Sequence, residues 1–173
     1  MPQDKVSLSV LDQSPIKQGS DAPNALQETL ALAQHCDRLG FHRYWVAEHH
    51  ASNALAGCSP EVLLGRLGGE TANIRLGSGG IMLPHYSPYK VAENFKVLET
   101  LYPGRIDLGV GRAPGTDPFT AAAIRYGSRV GPEHFPNMVF DLQALLNDTD
   151  PITPGMEDAR AFPKVINVPE LWM

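Results

Sequence analysis

The sequence of 173 residues contains little cysteine, no long apolar run and no cluster of basic residues. Cys36 and Cys58 lack the spacing of a metal or redox motif, which favours reduced packing residues over a disulfide. Because no 18 consecutive residues are apolar and the start resembles no signal peptide, we expect a soluble, unexported, cytoplasmic protein that crosses no membrane. With 14 basic and 19 acidic residues, nucleic acid is not an expected partner.

The composition is that of a globular protein. Hydrophobic residues make up 43% of the chain and charged residues 19%, which provides material for a core and argues against disorder. The length is that of one ordinary domain, so residues 1–173 are predicted to form a single domain.

Short β-branched runs alternate with amphipathic segments, which is typical of βα units around a parallel sheet. Strands are predicted over 6–11, 42–47, 74–79 and 105–111, and helices over about 24–39, from Ser59-Pro60 onward, over 87–101 and over about 136–147. Ser59 and Ser87 are predicted to cap their helices before a proline, and Val62, Leu63, Leu67 and Leu101 to face the core. Between the last strand and last helix the sequence predicts a long functional loop. Residues 148–173 are predicted to be irregular, with a fifth strand starting near Pro169.

Four βα units and the start of another strand amount to about half of a (β/α)₈ barrel, which needs about 250 residues. The predicted fold class is therefore α/β, of the TIM-barrel type but incomplete. Three arrangements are compatible with this count. The chain is half of a larger barrel, it pairs with a second copy of itself, or it forms an open sheet. An unclosed sheet exposes an edge that association covers, so we expect a homo-oligomer.

Three polar clusters follow three successive predicted strands, at the end of the sheet where α/β barrels build their sites. They are Glu48-His49-His50, Ser78-Gly79-Gly80 with His85 beyond it, and Gly109-Val110-Gly111-Arg112. Neighbouring strand residues point to opposite faces, so one of His49 and His50 is expected to face the site. The glycines suit a flat ligand, and Arg112 suits a phosphate or carboxylate. Structural histidines, an ordinary glycine turn and a surface arginine remain the alternatives. The histidines and Glu48 also allow a metal-dependent hydrolase on a barrel scaffold, although no metal site is predicted.

Together these segments resemble a known family. Residues 44–50 (YWVAEHH), 75–85 (RLGSGGIMLPH) and 103–115 (PGRIDLGVGRAPG), with LDQSP at 11–15, resemble the bacterial luciferase-like, flavin-dependent monooxygenases, particularly the alkanal-monooxygenase-like branch. The resemblance implies a (β/α)₈ barrel that takes reduced FMN from a reductase, reacts it with O₂ and oxidises a small organic substrate such as an aldehyde.

The resemblance also implies residue roles. His49 corresponds to the catalytic histidine that supports the oxygenated flavin, and Arg112 to the arginine that holds the FMN phosphate. The Gly79-Gly80 bond matches the family's non-proline cis peptide beneath the isoalloxazine ring, with Ser78 beside it as a further cofactor-binding residue. The family's second phosphate-binding segment follows the fifth strand and is not within these 173 residues. A noncatalytic half barrel that binds flavin or a partner therefore stands as an alternative.

Overall fold

The computed structural model describes residues 6–128 and 130–173 and shows a parallel sheet covered by helices. Within these residues the strands are β1 (Ser9–Asp12), β2 (Arg43–Val46), β3 (Arg75–Met82), β4 (Ile106–Gly111) and β5 (Glu170–Trp172), in that spatial order. The helices are α1 (Ala22–Arg38), α2 (Pro60–Glu70), α3 (Pro88–Leu101), α4 (Pro118–Arg125) and α5 (Phe135–Leu146). All four strand pairs are parallel and the sheet is not closed, which confirms the predicted incomplete α/β barrel.

The hydrophobic core lies between the sheet and the helices on its outer face. Strand residues Tyr44, Leu76 and Leu108 are fully buried there, packed with Leu64 of α2 and Leu142 of α5. Burial of this apolar surface is the main stabilising contribution to the fold. No helix within the described residues is long and apolar enough to span a bilayer.

The other face of the sheet carries an ionic cluster and two tryptophans. Asp107 in β4 is fully buried and accepts hydrogen bonds from Arg43 Nε at 3.0 Å and Arg75 Nε at 2.9 Å. Arg43 also pairs with Glu170 of β5 at 3.0 Å, and its guanidinium lies 4.7 Å from the centre of the Trp172 ring. These contacts join four strands across the face that no helix covers.

The structure corrects several predicted boundaries. Strand β1 begins at Ser9 rather than Val6, and the predicted long loop contains the helix α4. Asp117 starts that helix, because its side chain accepts hydrogen bonds from the backbone N–H groups of Phe119 and Thr120 at 2.9 and 3.0 Å. The loop prediction failed because an eight-residue helix with three consecutive alanines carries no apolar stripe.

Some predicted contacts within correctly placed helices are also wrong. Val62 is 69% exposed and Leu101 is 60% exposed, whereas both were expected in the core. In α2 the buried face is formed by Leu64 and Leu67, which are one turn apart, and Val62 lies off that face. Helices α2 and α3 do begin at the proline after Ser59 and Ser87, but neither serine side chain makes a capping hydrogen bond.

The tail after α5 is irregular up to β5 and is anchored by buried polar groups. Lys96 of α3 is fully buried, and its ammonium donates to Asp148 Oδ1 at 2.8 Å and to the carbonyl of Ala161 at 3.0 Å. Lys164 approaches the same carboxylate at 2.7 Å. Asp148 therefore joins helix α3 to the beginning and the middle of the tail.

Candidate active site

The segments that follow β2, β3 and β4 meet at one end of the sheet. The backbone N–H of His50 donates to the carbonyl of Gly115 at 3.2 Å, and Thr116 Oγ1 donates to the carbonyl of His50 at 3.2 Å. The Nε2 atom of His85 donates to the carbonyl of Pro114 at 2.6 Å. The three polar clusters predicted from the sequence are therefore neighbours, because parallel strands end at the same edge.

Glu48 is the polar centre of this end of the sheet. It is fully buried, and its Oε1 accepts hydrogen bonds from the Tyr86 hydroxyl at 2.6 Å and from His50 Nε2 at 2.7 Å. Its Oε2 accepts from the backbone N–H of Met82 at 2.9 Å. Burial and the contact with Glu48 raise the pKa of Tyr86, which keeps the phenol protonated as a donor. The Glu48 carboxylate thus ties the end of β2 to the end of β3.

Sequence reasoning placed Glu48 in a histidine cluster but missed Tyr86. The two residues are 38 positions apart, and no local pattern indicates their contact. The available signal was Glu48 itself, since a carboxylate that directly follows a buried strand requires hydrogen-bond donors.

The two adjacent histidines lie beyond the end of β2 and have different surroundings. His50 is held by Glu48, whereas His49 donates only its backbone N–H, to the carbonyl of Gly57 at 3.0 Å. The Nδ1 atom of His49 is buried and has no hydrogen-bond partner among the described residues. The imidazole of His49 therefore keeps a nitrogen available for a ligand.

A narrow apolar slot lies on the open face of the sheet, at the cis peptide bond between Gly79 and Gly80. Its volume is about 210 Å³, and its lining consists of Trp45, Ser78, Gly79, Gly80, Gly109, Val110, Trp172 and Met173. The Trp45 and Trp172 rings meet edge to face with their centres 5.7 Å apart, which gives the slot an aromatic wall. A Cβ atom added at Gly80 would lie 2.9 Å from the carbonyl carbon of Val110, so a side chain does not fit there.

The predicted cofactor residues are therefore divided between two places. Ser78, Gly79 and Gly80 line the slot, but the Ser78 hydroxyl is committed to the carbonyl of Gly109 at 2.8 Å. Arg112 is exposed just beyond β4, where its Nε donates to the carbonyl of Pro132 at 3.2 Å. Within residues 6–128 and 130–173 its two terminal nitrogens have no hydrogen-bond partner. His49 does not line the slot.

The side-chain positions also bear on the metal-dependent alternative. His50 and His85 each commit their Nε2 atom to a protein oxygen. The described part of the chain contains no group of three or more His, Cys, Asp or Glu side chains placed to hold a metal ion.

Comparison with known proteins decides the family. A model of luciferase-like monooxygenases matches residues 6–132. The chain belongs to the luciferase-like monooxygenase family. It is 50% identical over 168 residues to the uncharacterized protein YwcH of Bacillus subtilis (strain 168), covering 97% of this chain and 50% of that protein. It is 45% identical over 168 residues to the N-acetyl-S-alkylcysteine monooxygenase of the same organism, covering 97% and 50%.

The likeness extends to a solved structure of the family. The crystal structure of apo-MsnO8 superimposes with a TM-score of 0.85 at 41% identity, covering 97% of this chain and 49% of that chain. The chain thus spans about half the length of the curated relatives it matches. The family membership predicted from the three sequence motifs is confirmed.

Proposed function

We propose that the chain provides the binding site for the flavin ring in a monooxygenase that uses reduced FMN and O₂ to oxidise a small organic substrate. The slot at the cis Gly79-Gly80 bond carries this proposal. Its floor has no side chain beyond Cα, and its wall is aromatic. A flat heteroaromatic ring can lie against such backbone and make stacking contacts with tryptophan.

The residues present fit the ring of a flavin better than the whole cofactor. Ligand sites typically measure roughly 300–1,000 Å³, whereas the slot measures about 210 Å³. The remainder of FMN would extend beyond the slot, and Arg112, with two uncommitted terminal nitrogens, follows the end of β4, the strand that contributes Gly109 and Val110 to the slot. A guanidinium in that position would bind the FMN phosphate through paired hydrogen bonds.

The protein's own groups then orient the reactants and handle protons, while bound FMN would supply the oxygen chemistry. The family resemblance assigns the hydrogen-bonding or proton-transfer role to His49, whose Nδ1 is buried without a described protein partner and whose side chain lies outside the slot lining. The contacts from Glu48 to His50 and Met82 fix the strand ends that carry His49 and the cis peptide. Exclusion of water by Trp45 and Trp172 would protect the reaction from side products.

Two substrate classes follow from the comparisons and motifs. The resemblance to the alkanal-monooxygenase-like branch favours an aldehyde. The relative that is 45% identical is an N-acetyl-S-alkylcysteine monooxygenase, which favours a thioether as the oxidised group. Oxygen-dependent turnover of a medium-chain alkanal and of an N-acetyl-S-alkylcysteine, each with enzymatically reduced FMN, separates these classes.

The decisive test is fluorescence titration with FMN and with riboflavin, which lacks the phosphate. We expect Arg112→Ala to weaken FMN binding by about tenfold or more, since a charge-assisted phosphate contact is lost, and to leave riboflavin binding unchanged. Arg66→Ala is the control, because Arg66 is an exposed residue of α2 paired with Glu70. No binding of either flavin by the folded chain would overturn the proposal. Binding without turnover of either substrate would favour the noncatalytic half barrel.

A further inference from the structure

A second and larger cavity lies outside the proposed flavin slot. Its volume is about 670 Å³, and it is enclosed by the turn after β3, the end of α4, the buried side of α5 and the tail. Its lining consists of Pro84, His85, Tyr86, Ser87, Pro88, Arg125, Ser128, Val130, His134, Asn137, Met138, Asp141, Ile152, Thr153, Pro154 and Met156. None of these residues lines the slot.

Much of the cavity surface is apolar and adaptable. Met138 of α5 and Met156 and Ile152 of the tail contribute apolar side chains to the lining. Methionine side chains are unbranched and polarizable, so they adjust to ligands of different shape. The one carboxylate in the lining is already committed, because Asp141 accepts hydrogen bonds from the backbone N–H groups of Ile152 and Thr153 at 2.7 and 3.1 Å and from the Thr153 hydroxyl.

Arg125 is the one arginine in the lining, and no described carboxylate forms an ion pair with it. It is the last residue of α4 and is half-buried, and its Nε donates to the carbonyl of Ala121 at 3.2 Å. Among the described residues it forms no ion pair, and its terminal nitrogens make no hydrogen bond. An arginine fork with open donors matches a carboxylate in geometry and charge.

His85 supplies an unsatisfied acceptor in the same lining. It is 8% exposed, and its Nε2 donates to the Pro114 carbonyl, which cannot donate in return. In the neutral ring Nδ1 is then a lone-pair acceptor, and this atom is buried with no partner in the described part of the chain. A buried acceptor of this kind is costly unless a bound molecule or water provides a donor.

We propose that this cavity is a binding site for a small organic acid with an apolar body. The carboxylate binds to Arg125, and the apolar body packs on Met138 and Met156. The site is separate from the proposed flavin slot, so the proposal stands whether or not the chain binds FMN.

Methyl NMR of the chain labelled at the methionine methyl groups tests the site directly. The five methionines are Met1, Met82, Met138, Met156 and Met173, and of the four within the described residues Met138 and Met156 line the cavity. Titration with sodium octanoate should shift these two methyl signals saturably and leave that of Met82 in place. Octanol, with the same chain length and no charge, should bind more weakly.

Arg125→Gln isolates the role of the charge. It should weaken octanoate binding by about tenfold or more, because the ion-paired hydrogen bonds are lost, and should leave octanol binding unchanged. Arg38→Gln is the matched control, since Arg38 is the last residue of α1 and is exposed. Absence of a saturable shift at Met138 and Met156 would overturn the proposal, as would equal octanoate affinity in the two variants.

Discussion

At the scale of single residues, Glu48 makes the most consequential contacts of the site. We expect Glu48→Gln to lower the free energy of unfolding by about 2 kcal/mol. The amide NH₂ group of glutamine is a donor, so it would leave at least one donor that now binds the carboxylate without an acceptor. The partners affected are the Tyr86 hydroxyl, His50 Nε2 and the backbone N–H of Met82. Urea denaturation measures the change.

Glu93→Gln is the control for that substitution. Glu93 pairs with Lys90 on the surface of α3, and exposed pairs of this kind contribute about 1 kcal/mol or less. Equal losses in the two variants would show that the three contacts of Glu48 contribute no more than a surface ion pair.

Residue contacts also mark the limit of prediction from sequence. The strand ends that carry His49, Ser78, Gly80 and Arg112 follow from βα periodicity and motif spacing, and the segments after β2, β3 and β4 meet at one edge of the sheet. The hydrogen bond from the Ser78 hydroxyl to the Gly109 carbonyl was not predictable, because it depends on the register of β3 against β4.

At the scale of elements, two glycines of α2 differ in what surrounds them. A methylene on Gly68 would lie 2.2 Å from the Tyr102 ring at the end of α3, whereas one on Gly65 would lie 3.8 Å from Leu98. We expect Gly68→Ala to destabilise the fold by about 1–3 kcal/mol through overpacking, and Gly65→Ala to be neutral or stabilising by up to about 1 kcal/mol. Thermal unfolding of both variants checks this, and equal melting temperatures would contradict it.

The anchored tail should respond to acid. Hydrogen bonds from Lys164 and Lys96 lower the pKa of Asp148. A carboxyl whose pKa is lowered on folding stabilises the protein above its unfolded pKa and loses that contribution as the pH falls through its folded pKa. We expect Asp148→Asn to cost about 3 kcal/mol at pH 7, since Lys96 stays buried without its anion.

The pH dependence of that cost is the diagnostic measurement. As the pH falls from the ordinary pKa of aspartate, 3.8, through the lower folded pKa of Asp148, the unfolding free energies of Asp148→Asn and the native sequence should converge. Lys96→Met removes the buried cation together with its need for a partner, so it should cost less than Asp148→Asn. A constant difference between pH 7 and strong acid would show that the tail is held by its apolar contacts alone.

Element prediction succeeded where the apolar pattern was long and failed where it was short. The stripe through Val91, Phe95 and Leu98 defined α3, and all three residues are buried. Helix α4 went unpredicted because Ala121 alone of its eight residues is buried. The sequence of the tail has no periodic pattern of apolar residues. Its path depends on the contact between Lys96 and Asp148, which are far apart in the sequence.

At the scale of the whole molecule, the open sheet favours association between chains, which no single sequence motif indicates. Strands β1 and β5 each pair on one side only within residues 6–128 and 130–173. The face without helices leaves Leu11 56% exposed and Trp172 38% exposed. Unpaired parallel edges beside apolar side chains favour association, because another chain can cover both.

We therefore expect the chain of 173 residues to self-associate at micromolar concentration, which sedimentation velocity or light scattering measures. Leu11→Glu should shift the mass toward the monomer, because it places a charge on the open face beside the β1 edge. Leu39→Glu is the matched control, since Leu39 is 62% exposed at the end of α1. If the native sequence is monomeric, or if both variants shift the mass equally, the open face is not the surface through which copies associate. A shift specific to Leu11→Glu would place the interface on the face that carries the proposed flavin slot, so that self-association and flavin binding should compete for that face.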